Sequence, residues 1–125
     1  MRDIEFRAWD KAFKKMVTIE DDLPLYYEPD NGLHAGYSLP NGDWNSLELM
    51  QYTGLKDKNG KKIFEGDVVR ILICKGMVEK FRSEVSFYEG SFMIACENYQ
   101  ESLSDYEQSQ IEIIGNKYEN PELLK

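Results

Sequence analysis

Apolar and polar positions alternate at the start of the chain. In IEFRAW, Ile4, Phe6 and Ala8 fall on one side and Glu5, Arg7 and Trp9 on the other. That is the period of a strand with one buried face. DKAFKK turns the chain, and MVTI (Met16–Ile19) returns as the second arm of a hairpin. From Glu20 to Ser46 the alternation lapses. The stretch holds three of the four prolines, together with Gly, Asn and Asp, which break ladders and set turns. It predicts an irregular segment with a short strand near Leu25–Tyr27. Order resumes at LELMQYT. Asn59-Gly60 is a strong hairpin signal, since both residues accept the positive φ of a type I′ turn. Met50–Leu55 would fold back onto Lys62–Phe64. Gly66 marks a bulge or positive-φ position, and VVRILIC (Val68–Cys74) is the most apolar strand. A second hairpin is predicted around Glu89-Gly90-Ser91, with Val85 and Phe87 facing in on one arm and Phe92, Ile94 and Cys96 on the other. Tyr99, Leu103 and Tyr106 fit a short amphipathic helix, or their polar, acidic surroundings form a loop. IEII (Ile111–Ile114) is a last strand. Asn120 and Pro121 then read as the cap and first residue of a terminal helical turn.

Short strands separated by turns, with little helix, predict a mostly β protein: a small antiparallel barrel-like sheet, SH3-like or related. Its parts would be an N-terminal hairpin (1–19), the irregular segment (20–46), a β core (47–119) and a C-terminal helical turn (120–125), all in one domain. A chain of 125 residues can bury a core without disulfides or metals. The formal net charge of −8 is uneven. Residues 1–62 hold 9 Lys/Arg against 11 Asp/Glu, and residues 63–125 hold 6 against 12. Such a balance serves solubility or a basic protein partner, and it disfavours wholesale DNA binding. Cys74 and Cys96 lie far apart in apolar runs and read as buried, reduced thiols. The charged N-terminus is unlike a signal peptide, and no apolar run reaches the length of a membrane span. The predicted location is the cytoplasm.

Candidate chemistry is sparse. His34 is the one histidine, and without neighbouring Cys it makes no zinc site. It reads as a satisfied or exposed loop residue. KDKNGK faintly resembles a calcium loop: with Gly60 at position 6, Asp57 and Asn59 take positions 3 and 5. Leu55 and Gly66 then occupy positions 1 and 12, where ligands are required. No nucleophile elbow or phosphate loop is present. Glu65 and Asp67 flank Gly66 and are candidate paired carboxylates, although Asp67 has a plainer role in bonding turn amides. Lys56, Lys58, Lys61 and Lys62 surround one hairpin tip and are candidate contacts for nucleic acid or a partner. The alternative is that lysines at a hairpin tip aid solubility and block edge pairing. Tyr26, Tyr27, Tyr37 and Trp44 read as anchors for the long irregular segment, with a binding surface as the other reading.

The stretch LMQYTGLKDKNGKKIFEGDVV resembles the hallmark of the YopX-like family of bacteriophage and prophage proteins. IEFRAWDKAFKKMV and IEIIGNKYENPELL resemble the same family at matching places, so the likeness covers about half the chain, in order. The resemblance implies a mostly β fold and a phage or prophage setting in a bacterial host. It implies no cofactor, activity or catalytic residue. The motif positions Gly54, Asn59, Gly60, Gly66 and Asp67 answer structural demands of turns and strand starts.

The expected function is a non-enzymatic interaction protein that binds a host or phage protein and self-associates through strand edges. Two alternatives stand beside it. One is a nucleic-acid accessory protein using the Lys56–Lys62 hairpin with Tyr52 or Phe64. The other is an enzyme acting through Glu65 and Asp67.

Overall fold

A computed structural model describes residues 3–96 and 98–124. The protein is mostly β, and all its strand pairs are antiparallel. Among the described residues the sheets do not close into a barrel. The strands are β1 (Phe6–Asp10), β2 (Lys15–Val17), β3 (Leu25–Glu28), β4 (Gly32–Ser38), β5 (Trp44–Lys56), β6 (Lys62–Phe64), β7 (Asp67–Ile73), β8 (Val78–Glu84), β9 (Ser86–Tyr88), β10 (Ser91–Cys96), β11 (Tyr99–Ser102) and β12 (Ile111–Asn116). They belong to two compact units, Ile4–Gln51 and the chain from Tyr52 onward, and the long strand β5 passes from one to the other.

In the first unit the order is β2-β1-β5-β4-β3. Its inner face buries Ala8, Val17, Ala35 and Leu47 against Leu23, Tyr37 and Leu49. The segment 20–46 is far more regular than its prolines suggest. It holds a 3-10 turn (Ile19–Asp21) and the complete β3–β4 hairpin. Pro24 and Pro29 stand outside β3 at its two ends, where the missing N–H of proline breaks no ladder bond.

In the second unit Ile63, Val69, Ile71, Val85, Ile94, Leu103 and Ile111 form the core. Three-stranded sheets β12-β7-β8 and β11-β10-β9 supply most of it. The β9–β10 hairpin turns through Glu89 and Gly90, both at positive φ. Phe87, expected inside, is exposed and meets Phe92 edge-on at 5.1 Å. Residues 99–110 are neither one helix nor a featureless loop: β11 is followed by 3-10 turns at Leu103–Asp105 and Gln108–Gln110. Cys96 is buried, but Cys74 is exposed at the end of β7. Cys74, Lys75 and Gly76 all take positive φ there, so the run of apolar alternation ends one residue before the thiol.

Candidate functional site

The lysine-tipped hairpin is built around an acid. Asp57 is almost completely buried. Its Oδ1 accepts the N–H groups of Asn59 at 3.0 Å and Lys61 at 2.9 Å, and its Oδ2 accepts the N–H of Ile113 at 3.0 Å. The turn closes through Gly60 N–H to Asp57 O at 2.9 Å. Gly60 has φ +80° while Asn59 does not enter the left-handed region. The expected type I′ turn is therefore not formed. An Asx side chain that captures the amides two and four residues on selects a longer turn, with only the glycine at positive φ. Lys58 N–H to Ile111 O at 2.8 Å and Gln108 Nε2 to Asp57 O at 2.9 Å fasten the same tip to the β12 segment.

This arrangement divides the four lysines. Lys58 Nζ lies 3.8 Å from Glu112 Oε2, and Glu112 also pairs with Arg70. Lys62 Nζ stands 5.5 Å from the centre of the Tyr52 ring. Lys56 and Lys61 remain exposed. Tyr52 and Phe64, which the nucleic-acid reading sets beside the hairpin, are both buried and face each other at 5.6 Å. They offer no open ring to a base. Beside the hairpin, β5 is bulged: Tyr52 pairs with Phe64 and Lys56 with Lys62, so the Thr53–Leu55 stretch spans a shorter length of β6. Gly54 sits in the bulge at φ +87°. An open cavity of about 220 Å³ lies here, with Tyr52, Leu55 and Ile111 among its walls and Lys56 and Gln108 also lining it.

The two candidate carboxylates at Gly66 stand in different surroundings. Asp67 is buried and accepts the N–H of Phe64 at 2.8 Å, while Glu65 is half-buried. Gly66, at φ +85°, exchanges backbone bonds with Val85 and Lys117. The turn role read for Asp67 thus holds. Among the described residues no group of three or more His, Cys, Asp or Glu side chains is placed to hold a metal.

Two features of the first unit carry more than their sequence signal. Asp10, read as part of a turn, is fully buried and continues the inward face of Phe6 and Ala8. Its oxygens accept Tyr37 Oη at 2.6 Å, Asn45 Nδ2 at 3.1 Å and Phe13 N–H at 3.2 Å. Burial by itself would raise its pKa. The bonds from Tyr37, Asn45 and the Phe13 and Ala12 amides outweigh burial and hold the carboxyl below its ordinary value. The same bond to Asp10, with burial, raises the Tyr37 hydroxyl. A general acid at neutral pH needs the opposite shift, so this carboxylate is built to stay ionised and locked. A continued period of two past Ala8 was the signal that could have found it.

The second feature is the β3–β4 hairpin at the free edge of its sheet. Leu25, Tyr27 and Leu33 are exposed on one side. On the other, Tyr26 stacks on His34 with ring centres 5.5 Å apart and meets Trp44 edge-on at 5.6 Å. The Trp44 indole covers Gly36, where an added Cβ would come within 2.7 Å of it. Trp44 is nonetheless 53% exposed and Tyr27 69% exposed. His34 is not a loop residue satisfied by polar neighbours: it lies on β4, half-buried, and its Nε2 is out of solvent without a hydrogen-bond partner. Of the expected anchors, Tyr37 points to the core-side acid, whereas Tyr26 and Trp44 face outward.

These features define a small acidic all-β protein. Its visible devices are an amide-gripping aspartate in each unit and an aromatic edge hairpin. The sequence profile of the YopX protein family matches residues 5–125, and the chain belongs to that family. It is similar to the crystal structure of protein EF1440 from Enterococcus faecalis, with TM-score 0.70 and 28% identity over 100% of both chains. It is also similar to the crystal structure of protein yopX from Bacillus subtilis, with TM-score 0.68 and 25% identity over 97% of this chain and 98% of that one. No curated protein matches the chain. No helix among the described residues is long and apolar enough to cross a membrane.

Proposed function

We propose that this chain is a non-enzymatic interaction protein that docks a basic surface of a partner protein through the β3–β4 hairpin. The observation that carries the reading is an edge hairpin with Leu25, Tyr27 and Leu33 exposed on one face, and on the other the half-buried Tyr26 against the exposed Trp44 of β5. Exposed tryptophan and tyrosine are the residues on which binding energy concentrates at interfaces. Charge supports the choice of partner. No Lys or Arg occurs between Lys15 and Lys56, while Glu28, Asp30 and Asp43 lie in or next to the hairpin and its following turn. Such a field speeds encounter with a cationic surface and repels nucleic acid. In the bacterial setting suggested by the phage-protein resemblance, the partner is a host or phage protein met in the cytoplasm.

The test uses the tagged protein, Trp44→Ser, Asp43→Lys and Lys61→Gln as baits in host lysate, with and without nuclease. One defined protein should be retained after nuclease by wild type and Lys61→Gln, and lost by Trp44→Ser and Asp43→Lys. Equal retention by all four baits sinks the hairpin assignment. Loss of all retained material on nuclease treatment would move the reading to nucleic acid and the Lys56–Lys62 hairpin.

A further inference from the structure

The register of β3 fixes which of its backbone groups are engaged. Its pairing with β4 runs without a shift from Leu25↔Ala35 to Glu28↔Gly32, and one step further Gly36 N–H donates to Pro24 O at 3.0 Å. In an antiparallel pair, residues that exchange bonds alternate with residues that do not. Tyr26 and Glu28 therefore turn their N–H and C=O groups toward β4. Leu25 and Tyr27 turn theirs away, to the free edge of the sheet. Leu25 N–H closes onto Leu23 O at 3.0 Å. The Leu25 carbonyl and both backbone groups of Tyr27 face no strand among the described residues. Edges are commonly guarded by a bulge, a proline or a lysine within the strand. The sequence of β3, LYYE, holds neither residue, and its pairing has no bulge. Pro24 and Pro29 stand just outside it, so only a short segment can pair here. The opposite edge of the sheet, β2, carries Lys15.

We propose that β3 takes up an extended segment of the partner as an added strand, in which apolar residues alternate with Lys or Arg. The inference rests on the docking reading above and names its mode. Main-chain bonds to the Leu25 carbonyl and to Tyr27 supply affinity in such an addition, and alternate side chains supply specificity. Leu25 and Tyr27 lie on the same face as Ala35, which is buried with Leu47 in the core of this unit. They are 40% and 69% exposed. Apolar residues opposite them would extend that core over surface now in water. The other face presents Tyr26 and the exposed Glu28. A Lys or Arg there meets an opposite charge across the ladder and the face of an aromatic ring. The sequence between Lys15 and Lys56 holds no cation to repel it. A second copy of β3 is the poorer occupant, because it would bring another Glu28 and Asp30 to the same edge.

The probe is an acetylated and amidated heptapeptide of alternating Lys and Val, titrated into isotope-labelled protein and followed by amide NMR. The expected result is saturable shifts at Leu25, Tyr27 and Glu28, with slowed hydrogen exchange at the Tyr27 amide. Tyr27→Pro removes the outward N–H without taking a bond from the β4 ladder. Tyr27→Ala removes the same ring and keeps the N–H. Tyr27→Pro should bind the peptide at least about fivefold more weakly than Tyr27→Ala, the cost of one main-chain hydrogen bond. Two further peptides, N-methylated at every Val or at every Lys, keep all side chains and charges. At least one of them should fail to bind the wild-type protein, a test that needs no protein variant. Absence of saturable shifts at β3 overturns the added strand, as does equal binding of all three peptides or equal binding by the two Tyr27 variants. The lysate baits decide the docking reading separately. A lysate protein retained through Trp44 and Asp43, beside a silent peptide titration, strikes the added strand and leaves the docking. A bound peptide with no lysate protein retained strikes the docking reading alone.

Discussion

Replacing Asp57 should cost the protein a large part of its stability, although the residue sits at a hairpin tip. Three backbone N–H groups, of Asn59, Lys61 and Ile113, converge on its carboxylate within 3.0 Å. In Asp57→Ala each loses a charged acceptor. The tip is close enough to solvent for water to replace part of each bond, so the net cost is taken as about 1 kcal/mol per bond and about 3 kcal/mol in all. Against a typical total of about 5–15 kcal/mol this is substantial, and with a urea m-value of about 1–3 kcal/mol/M it moves the midpoint down by more than about 1 M. Asp57→Asn separates the two halves of the effect. Its remaining oxygen can still accept from Asn59 and Lys61, but its NH₂ would meet the N–H of Ile113, donor against donor. That variant should lose about 1–2 kcal/mol, together with the hydrogen-exchange protection of the Ile113 amide. Urea unfolding at constant m-value and amide exchange are the assays. An Asp57→Ala loss under about 1 kcal/mol would refute the account, as would an Asp57→Asn protein in which Ile113 stays protected.

Asp10 gives a prediction in pH. Its folded pKa is lowered, so it contributes stability above the unfolded value of about 3.9 and loses it as pH falls through the folded value. Asp10→Asn should flatten the acid limb of the stability curve, and Tyr37→Phe should shift that limb toward higher pH. An unchanged acid limb in Asp10→Asn would contradict the bonding described. The thiols give a third test: a thiol reagent should titrate one cysteine, Cys74, in the native protein and both in denaturant. Two reactive thiols under native conditions would mean that Cys96 is not enclosed.

Strand positions with one buried face were legible from the sequence because a period of two is a local signal. The place of the 57–60 turn and the amide-bonding role of Asp67 were legible for the same reason. The turn type was not: Asn59-Gly60 alone favours the two-residue form, and the preference is overturned by Asp57, whose captured amides fix the geometry from outside the dipeptide. Residues 20–46 were misjudged because Pro24, Pro29, Gly36 and Pro40 were weighed as composition. Position decides their effect. Pro24 and Pro29 flank β3, Pro40 lies in the turn between β4 and β5, and Gly36 lies mid-strand under an indole. Asp10 was missed because an acid beside lysines reads as solvent-facing. Its partners Tyr37 and Asn45 lie 27 and 35 residues away, beyond any local pattern. Neither the cavity at Lys56 nor the pairing of Lys56 with Lys62 could be read without the bulge that sets their register.

The grip of Asp57 also measures length. One oxygen takes the amides two and four residues downstream, and the other takes an amide 56 residues away. A single residue inserted between Asp57 and Lys61 would break one grip or the other, so this surface turn should be intolerant of insertions. The turn at Cys74–Met77 is closed by its own backbone bonds, Gly76 N–H to Ile73 O and Met77 N–H to Cys74 O, and Gly76 has open space around it. An epitope or dye-binding peptide spliced in there should leave folding intact. The two solvent-exposed loops thus offer opposite prospects to anyone tagging this protein, for a reason that neither exposure nor glycine content reveals.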